Sequence, residues 1–121
     1  MKKILLLGLC CLFFLGGCGS DNSKEGLISY MKAKELIINE GAVLVDVRTE
    51  EEYNENHIDR ALLLTLDTIS EETATALITD KEAEIIVYCR SGKRSSEAKE
   101  KLESLGYTNV YDLGSIDNWE E

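Results

Sequence analysis

The amino-acid sequence predicts one α/β domain with a mainly parallel sheet of about five strands. Short apolar runs alternate along the chain with segments in which apolar residues recur every three or four positions. Two of the runs, 42–47 and 85–88, are nearly continuous and rich in valine and isoleucine. Such runs are typical of parallel strands that are covered on both faces. A chain of 121 residues has room for one domain of this kind.

The N-terminal segment has the features of an export signal. Lys2 and Lys3 precede an apolar run, 4–15, which is shorter than the roughly 20 helical residues that span a bilayer. Two glycines and Cys18 follow, and this ending resembles a bacterial lipobox. We therefore expect residues 1–17 to be a lipoprotein signal peptide.

A lipid on Cys18 would anchor the protein to a membrane of the bacterial cell envelope, with the domain outside the cytoplasm. Residues 18–26 are polar and rich in glycine and serine, so they are expected to form a lipidated, flexible tether. The folded domain is predicted to cover residues 27–121.

The first half of this domain is predicted to contain two strands, 27–30 and 42–47, with a helix at 32–39 between them. After the second strand, Thr49 is followed three residues later by Glu52. This spacing matches a capping box, in which the two side chains bind backbone amides at a helix start. It predicts a second, short helix.

Three runs in the second half have the length and composition of strands: 62–64, 85–88 and 107–113. Thr68 and Glu71 repeat the capping-box spacing and predict a helix between the first two runs. From about Arg94 the apolar residues follow a helical period, and a last helical turn is predicted at 116–119.

The charge of the chain argues against a nucleic-acid partner, because 23 acidic residues outnumber 13 basic ones. Three cations nevertheless lie within five residues, at Arg90, Lys93 and Arg94. At physiological salt the Debye length is about 8 Å, so remote carboxylates are largely screened. The sequence therefore predicts a local loop that attracts an anion.

Cys89 stands at the start of this cationic loop. Of the four cysteines, Cys10 and Cys11 lie in the predicted signal and Cys18 is the predicted lipidation site, which leaves Cys89 as the only free thiol. In a parallel sheet, ligands bind beyond the carboxyl ends of the strands, where Cys89 is expected to lie. Gly92 allows the loop amides to turn inward around one point. We predict a reactive cysteine, and the alternative is a buried cysteine that only packs.

The segment 89–95, Cys-Arg-Ser-Gly-Lys-Arg-Ser, resembles the active-site loop of a single-domain rhodanese, a thiosulfate-type sulfurtransferase. Further landmarks of that family occur in the same order: Asp46-Val47-Arg48, Glu52-Tyr53, His57-Ile58, Ala61, Leu113-Gly114 and Trp119. The resemblance implies a rhodanese-like three-layer domain. The family often has glycine where this chain has Arg60 and Ser115.

The resemblance also implies a reaction. Cys89 would take a sulfane sulfur from thiosulfate or a similar anionic donor as a persulfide, and a thiol or cyanide would then remove it. The substrate-binding residues it implies are Arg90, Ser91, Gly92, Lys93, Arg94 and Ser95. No metal or organic cofactor is required, and a monomer is expected. Asp46 and Arg48 are predicted to support the loop, His57 to form structural hydrogen bonds, and Trp119 to pack or line the pocket.

Three alternatives remain open from the sequence. The domain could be a persulfide carrier or binding module that exchanges sulfur with a partner protein, or an inactive anion-binding domain. It could also be a cysteine phosphatase or arsenate reductase. Loops of the phosphatase type have five residues between the cysteine and the arginine, whereas four separate Cys89 from Arg94. The smaller cradle suits sulfur better than a phosphoryl group.

Overall fold

A computed structural model of the chain describes residues 26–120. The helices are α1 (Tyr30–Glu40), α2 (Glu50–Glu55), α3 (Glu71–Leu77) and α4 (Lys93–Ser104). The strands are β1 (Val43–Asp46), β2 (Leu62–Leu63), β3 (Glu84–Cys89) and β4 (Asn109–Ser115). Short 3-10 turns occupy Leu66–Thr68 and Ile116–Asn118. Within the described range, no helix combines the length and apolar character needed to cross a membrane. The predicted signal peptide and most of the predicted tether lie outside this range.

The four strands form one parallel sheet in the order β2-β1-β3-β4. The predicted α/β class with a mainly parallel sheet is therefore confirmed. The expected strand at 27–30 is wrong, because Leu27 makes only an isolated parallel bridge to Asp112. Ser29 caps the following helix with its side chain, so Tyr30 already belongs to α1.

Alternate side chains of each strand point to opposite faces of the sheet and build two cores. The core on the α3 and α4 side receives Val45, Ile85, Val87, Cys89 and Val110. The core on the α1 side receives Leu44, Ile86, Tyr88 and Leu113, with Tyr53 of α2 packed against it. This gives the three layers that the family resemblance implies. It also places Cys89 and its neighbour Tyr88 on different faces.

One predicted helix start is confirmed and the other is displaced. Thr49 and Glu52 form the predicted capping box at the start of α2. Thr68 instead ends a 3-10 turn, and α3 is capped two residues later by Ser70. The Ser70 side chain accepts from the amide of Thr73, and the Thr73 side chain accepts from the amide of Ser70.

Left-handed backbone occurs at two positions that the sequence resemblance singles out. Arg60 has φ of 76° and is the only non-glycine residue with positive φ in the part of the chain that the structure describes. Glycine is the residue best suited to this conformation, and it is the residue that the resemblance implies for this position. Gly114, near the end of β4, has φ of 86°, so this position also favours glycine.

Candidate active site

The Cys89 loop joins the end of β3 to the start of α4. Cys89 is the last residue of β3, pairs with Ser115 of β4 and has 0% exposed surface. Gly92 has φ of 102°, which lets the backbone reverse, and α4 begins at Lys93. The sulfur therefore lies at the carboxyl edge of the sheet, in front of a helix N-terminus.

Two backbone amides converge on the Cys89 sulfur. The Gly92 amide donates to Sγ at 2.9 Å and the Ser95 amide at 3.3 Å. These N–H groups belong to the start of α4, where the first amides of a helix have no partner within the helix. Donors arranged in this way stabilise negative charge on sulfur, whether the group is a thiolate or a persulfide anion.

Two side-chain hydroxyls bind the backbone of this loop. The Ser95 hydroxyl donates to the carbonyl oxygen of Gly92 at 3.1 Å, and the Ser115 hydroxyl donates to that of Arg90 at 2.6 Å. A Cβ at Gly92 would lie 3.7 Å from the Cα of Gly114, so the two glycines bring the loop and β4 into close contact. Ser115 thus has a function that a glycine at this position could not provide.

Two of the three loop cations have an acidic neighbour. Arg94 pairs with Glu52 of α2 through two hydrogen bonds, of 2.7 and 3.1 Å. Arg90 lies 3.9 Å from the same carboxylate and its side chain is 75% exposed. The hydrogen bonds from Arg94, together with those from Thr49, lower the pKa of Glu52 to about 2. Lys93 is exposed and has no ion-pair partner among residues 26–120.

The Asp46 carboxylate forms a separate buried network on the α1 side of the sheet. It accepts from Nε of Arg48 at 2.9 Å, from Nη2 at 2.7 Å and from the Tyr88 hydroxyl at 2.7 Å. Nη2 of Arg48 also donates to the Asn56 carbonyl oxygen at 2.6 Å. Burial raises the pKa of Tyr88, so its hydroxyl stays protonated and continues to donate to Asp46.

Comparison with known proteins identifies the family of the chain. A profile of the Rhodanese-like domain matches residues 29–121. The chain belongs to this family. It is 34% identical over 93 residues to the thiosulfate sulfurtransferase PspE of Escherichia coli K12, covering 77% of this chain and 88% of that protein. It is 36% identical to the thiosulfate sulfurtransferase GlpE of Coxiella burnetii, over 76% and 84% of the two chains.

Solved rhodanese structures have the same fold. A rhodanese from E. coli, solved with anions, superposes with a TM-score of 0.60 at 32% identity and covers 64% of this chain and 89% of its own. The human single-domain sulfurtransferase TSTD1 superposes with a TM-score of 0.65 at 26% identity, over 78% and 94% of the two chains.

Among residues 26–120, the remaining predicted site residues His57, Ser91 and Trp119 form no hydrogen bond with the Cys89 sulfur. His57 stacks on Tyr53 with 3.7 Å between ring centroids, and its Nδ1 donates to the Tyr53 carbonyl oxygen at 2.8 Å. Trp119 meets Tyr30 edge to face at 4.9 Å. Ser91 is exposed in the loop. Residues 26–120 contain no group of three or more metal-binding side chains.

Glu52 is the site residue that sequence reasoning missed. Its spacing from Thr49 predicts a helix start, and an acidic residue in a first helical turn has a sufficient explanation in the helix dipole. The pairing with Arg94 spans 42 residues of sequence, and no local pattern indicates it. The capping box fixes Glu52 at the start of α2, but it does not indicate Arg94 as its partner.

Proposed function

We propose that this rhodanese-like domain is a sulfurtransferase, which moves a sulfane sulfur from thiosulfate or a similar anionic donor to a thiol or cyanide. The observation that carries the proposal is the convergence of the Gly92 and Ser95 amides on one cysteine sulfur. A cysteine that only packs needs no such donors. The names of PspE and GlpE support thiosulfate as the donor.

The proposed reaction has two steps, both at Cys89. The thiolate attacks the outer sulfur of thiosulfate, an S–S bond forms, and the S–S bond within the donor breaks. Sulfite leaves with the electron pair, and Cys89 keeps a persulfide whose negative charge the two amides hold. An acceptor thiolate or cyanide then attacks the outer sulfur of the persulfide. The Cys89 thiolate leaves, which completes the cycle without an oxidant or reductant.

The loop cations are proposed to bind the donor. Lys93 is exposed and Arg90 extends into solvent, so both are available to an incoming dianion. The anions in the E. coli rhodanese structure are consistent with such a site. Because Cys89 has no exposed surface, the loop has to open to admit the donor. The same loop would then close over the persulfide and exclude water.

A persulfide carrier is a second candidate, and the contacts of Glu52 favour it. This carboxylate already pairs with Arg94 and lies near Arg90, so it competes with a small anion for two of the three loop cations. In this case Cys89 would accept sulfur from a partner protein and turn thiosulfate over slowly. Repeated turnover with thiosulfate and several small thiols separates an enzyme from a carrier.

The decisive experiment is the intact mass of the purified protein after incubation with thiosulfate. We expect the gain of one sulfur atom, and its loss when cyanide is added, because the persulfide sulfur is transferable. Cys89→Ser, which keeps the size of the side chain but removes the nucleophile, is expected to gain nothing. An unchanged mass of the wild-type protein with its thiol intact would exclude sulfur transfer from this donor.

We further propose that the protein is a lipoprotein of the bacterial cell envelope, anchored through Cys18. Support comes from the order of lysines, short apolar run and small residues before this cysteine. The mature chain is expected to begin at Cys18, to carry the mass of a lipid and to sediment with membranes. Cys18→Ser should abolish all three, whereas Cys10→Ser, in the apolar run, should not. A mature chain with an unmodified Cys18 would refute the anchor.

A further inference from the structure

An apolar groove lies between α1 and the edge of the sheet. Its volume is about 480 Å³, which is within the range of sites that bind small molecules. Residues of α1, of β1 with the turn before it, and of the loop that enters β2 form most of its lining. Of the residues that the structure describes, none from the segment 89–95 lines it. The groove is therefore a feature that the proposed sulfur transfer does not use.

The topology of the sheet explains why this groove is open. α1 packs on the central strands through Ala33 and Leu36. β2 has two residues and stands at the edge of the sheet, where it pairs only with β1. Leu62 of β2 is 39% exposed and Ile38 of α1 is 73% exposed. These are two of the three large apolar residues exposed between residues 26 and 120, and both line the groove. Clustered exposed apolar residues mark an interaction site.

Two cations line the same groove. Lys34 of α1 and Arg60 of the loop before β2 are both exposed, and neither takes part in an ion pair within residues 26–120. Long basic side chains cover apolar surface with their stems and keep their charge in water. Asp59 is the only acidic residue of the described range that lines the groove. Two cations against one carboxylate leave a positive excess, in a chain whose formal net charge is −10.

The backbone at Arg60 is an independent observation. Its φ of 76° is a conformation that glycine adopts more readily than any residue with a side chain. An arginine at this position therefore costs stability. Residues held in such conformations cluster at functional sites, where the side chain compensates for the strain. The place of Arg60 at the groove gives its side chain such a function.

We propose that the groove binds an amphipathic anion, a small molecule with an apolar tail and a carboxylate or similar acidic group. The tail lies against Ile38 and Leu62, so apolar surface of the protein and of the ligand leaves water together. The acidic group pairs with Lys34 and Arg60. A free molecule fits this site better than a bilayer surface, because the site is concave.

Trp119 makes binding measurable, since it lines the groove and is the only tryptophan of the chain. The probe is decanoate below its micelle concentration. Decanol and decylammonium have the same tail with no charge and with the opposite charge. We expect decanoate to change the Trp119 fluorescence saturably and to bind at least threefold more tightly than decanol, with decylammonium the weakest. Equilibrium dialysis is the second measure. The proposal is overturned if neither method detects saturable decanoate binding, or if the three probes bind equally.

Arg60→Gly separates recognition of the acidic group from stability. Glycine suits the backbone here, so urea denaturation should show no loss of stability. The variant should nevertheless bind decanoate about threefold more weakly and leave decanol binding unchanged. Lys34→Gln should have the same effect on binding. Lys32→Gln, at an exposed lysine of α1 outside the groove lining, should have none. Wild-type decanoate affinity in both Arg60→Gly and Lys34→Gln would refute the proposal.

Ile38→Ser and Met31→Ser form a matched pair on α1. Both replace an exposed apolar residue, but only Ile38 lines the groove. Ile38→Ser is expected to weaken decanoate and decanol binding alike, by about threefold, and Met31→Ser to change neither. Vesicles of an anionic phospholipid test the other source of an amphipathic anion. Binding to vesicles that both substitutions weaken equally, without binding of monomeric decanoate, would assign this surface to a membrane and overturn the proposal.

Discussion

Two loops leave the same edge of the sheet from neighbouring strands, and they use their polar groups in opposite ways. After β1, the Asp46 carboxylate is bound by Arg48 and Tyr88 inside the protein. After β3, the amides of Gly92 and Ser95 point at one sulfur atom, in a segment whose sequence carries three cations. The first loop has its charges matched within the fold. The second has donors suited to a negative charge that arrives during a reaction.

The alternation of side chains along the strands explains this difference. Asp46 pairs with Tyr88 across β1 and β3, and both belong to the α1 side of the sheet. Cys89 is one residue further along β3 and therefore faces α4. Position at the carboxyl edge brings polar residues near a functional site, but the face decides which of them can reach it. A buried charge whose partners all lie in its own network is a structural element.

Asp46→Ala is the strongest way to test this distinction. The substitution leaves the buried Arg48 guanidinium and the Tyr88 hydroxyl without their shared acceptor. Loss of one partner from a buried ion pair costs about 3–5 kcal/mol. We expect a loss of this size in the free energy of unfolding, measured by urea denaturation. Sulfur loading of Cys89, measured per folded molecule, should change by less than about threefold.

The control for this experiment replaces both partners. Asp46→Leu combined with Arg48→Met removes the two charges together, so it should recover part of the stability that Asp46→Ala loses. Asp67→Ala, at an exposed acidic residue, should change the free energy of unfolding by less than about 0.5 kcal/mol. If Asp46→Ala remains stable but no longer loads sulfur, then the first loop belongs to the active site and the distinction fails.

The sheet could be predicted because its signals are local. The apolar run at 42–47 and the run at 85–88 contain β1 and most of β3, and the helical period after Arg94 follows the observed α4 within one residue. The errors arose where two local signals compete. The segment 27–30 has the composition of a strand, but Ser29 caps α1, which begins at Tyr30. Too few residues remain before the helix for a strand to form. Thr68 has capping-box spacing, but it is the last residue of a 3-10 turn and does not cap α3.

The site was predictable only in part, because its contacts are long-range. The loop motif indicates a cysteine facing inward amides, and the structure directs two amides at the sulfur. The role of Arg94 could not be read in the same way, since its partner Glu52 lies in another helix. Likewise, the sequence places Asp46 at the correct edge without indicating its face. Pairing register, which fixes the face, exists only once the strands assemble.

Glu52→Gln tests the contact between the two loops, because Glu52 joins them. Its effect on stability is expected to be smaller than that of Asp46→Ala. It stands in the first turn of α2, which follows the Asp46 loop, and binds Arg94 of the Cys89 loop. Arg94 lowers the Glu52 pKa from 4.5 to about 2 in the folded protein. The stability that this shift contributes is fully present above about pH 4.5 and is lost as pH falls through about 2. Denaturation across this range should show a steeper loss for wild type than for Glu52→Gln.

The same variant is expected to change KM and kcat for two different reasons. Without Glu52, Arg94 and Arg90 are no longer neutralised, so the KM for thiosulfate should fall by about two- to fivefold. Arg94 also loses the pair of hydrogen bonds that fixes its direction, so kcat should fall by a similar factor. Glu51→Gln, at an exposed neighbour in the same helical turn, should change neither constant. If Glu52→Gln lowers kcat and leaves KM unchanged, Glu52 only orients the loop and does not compete with the donor. The Cys89 loop would then depend on the α2 helix for its shape and not for its charge.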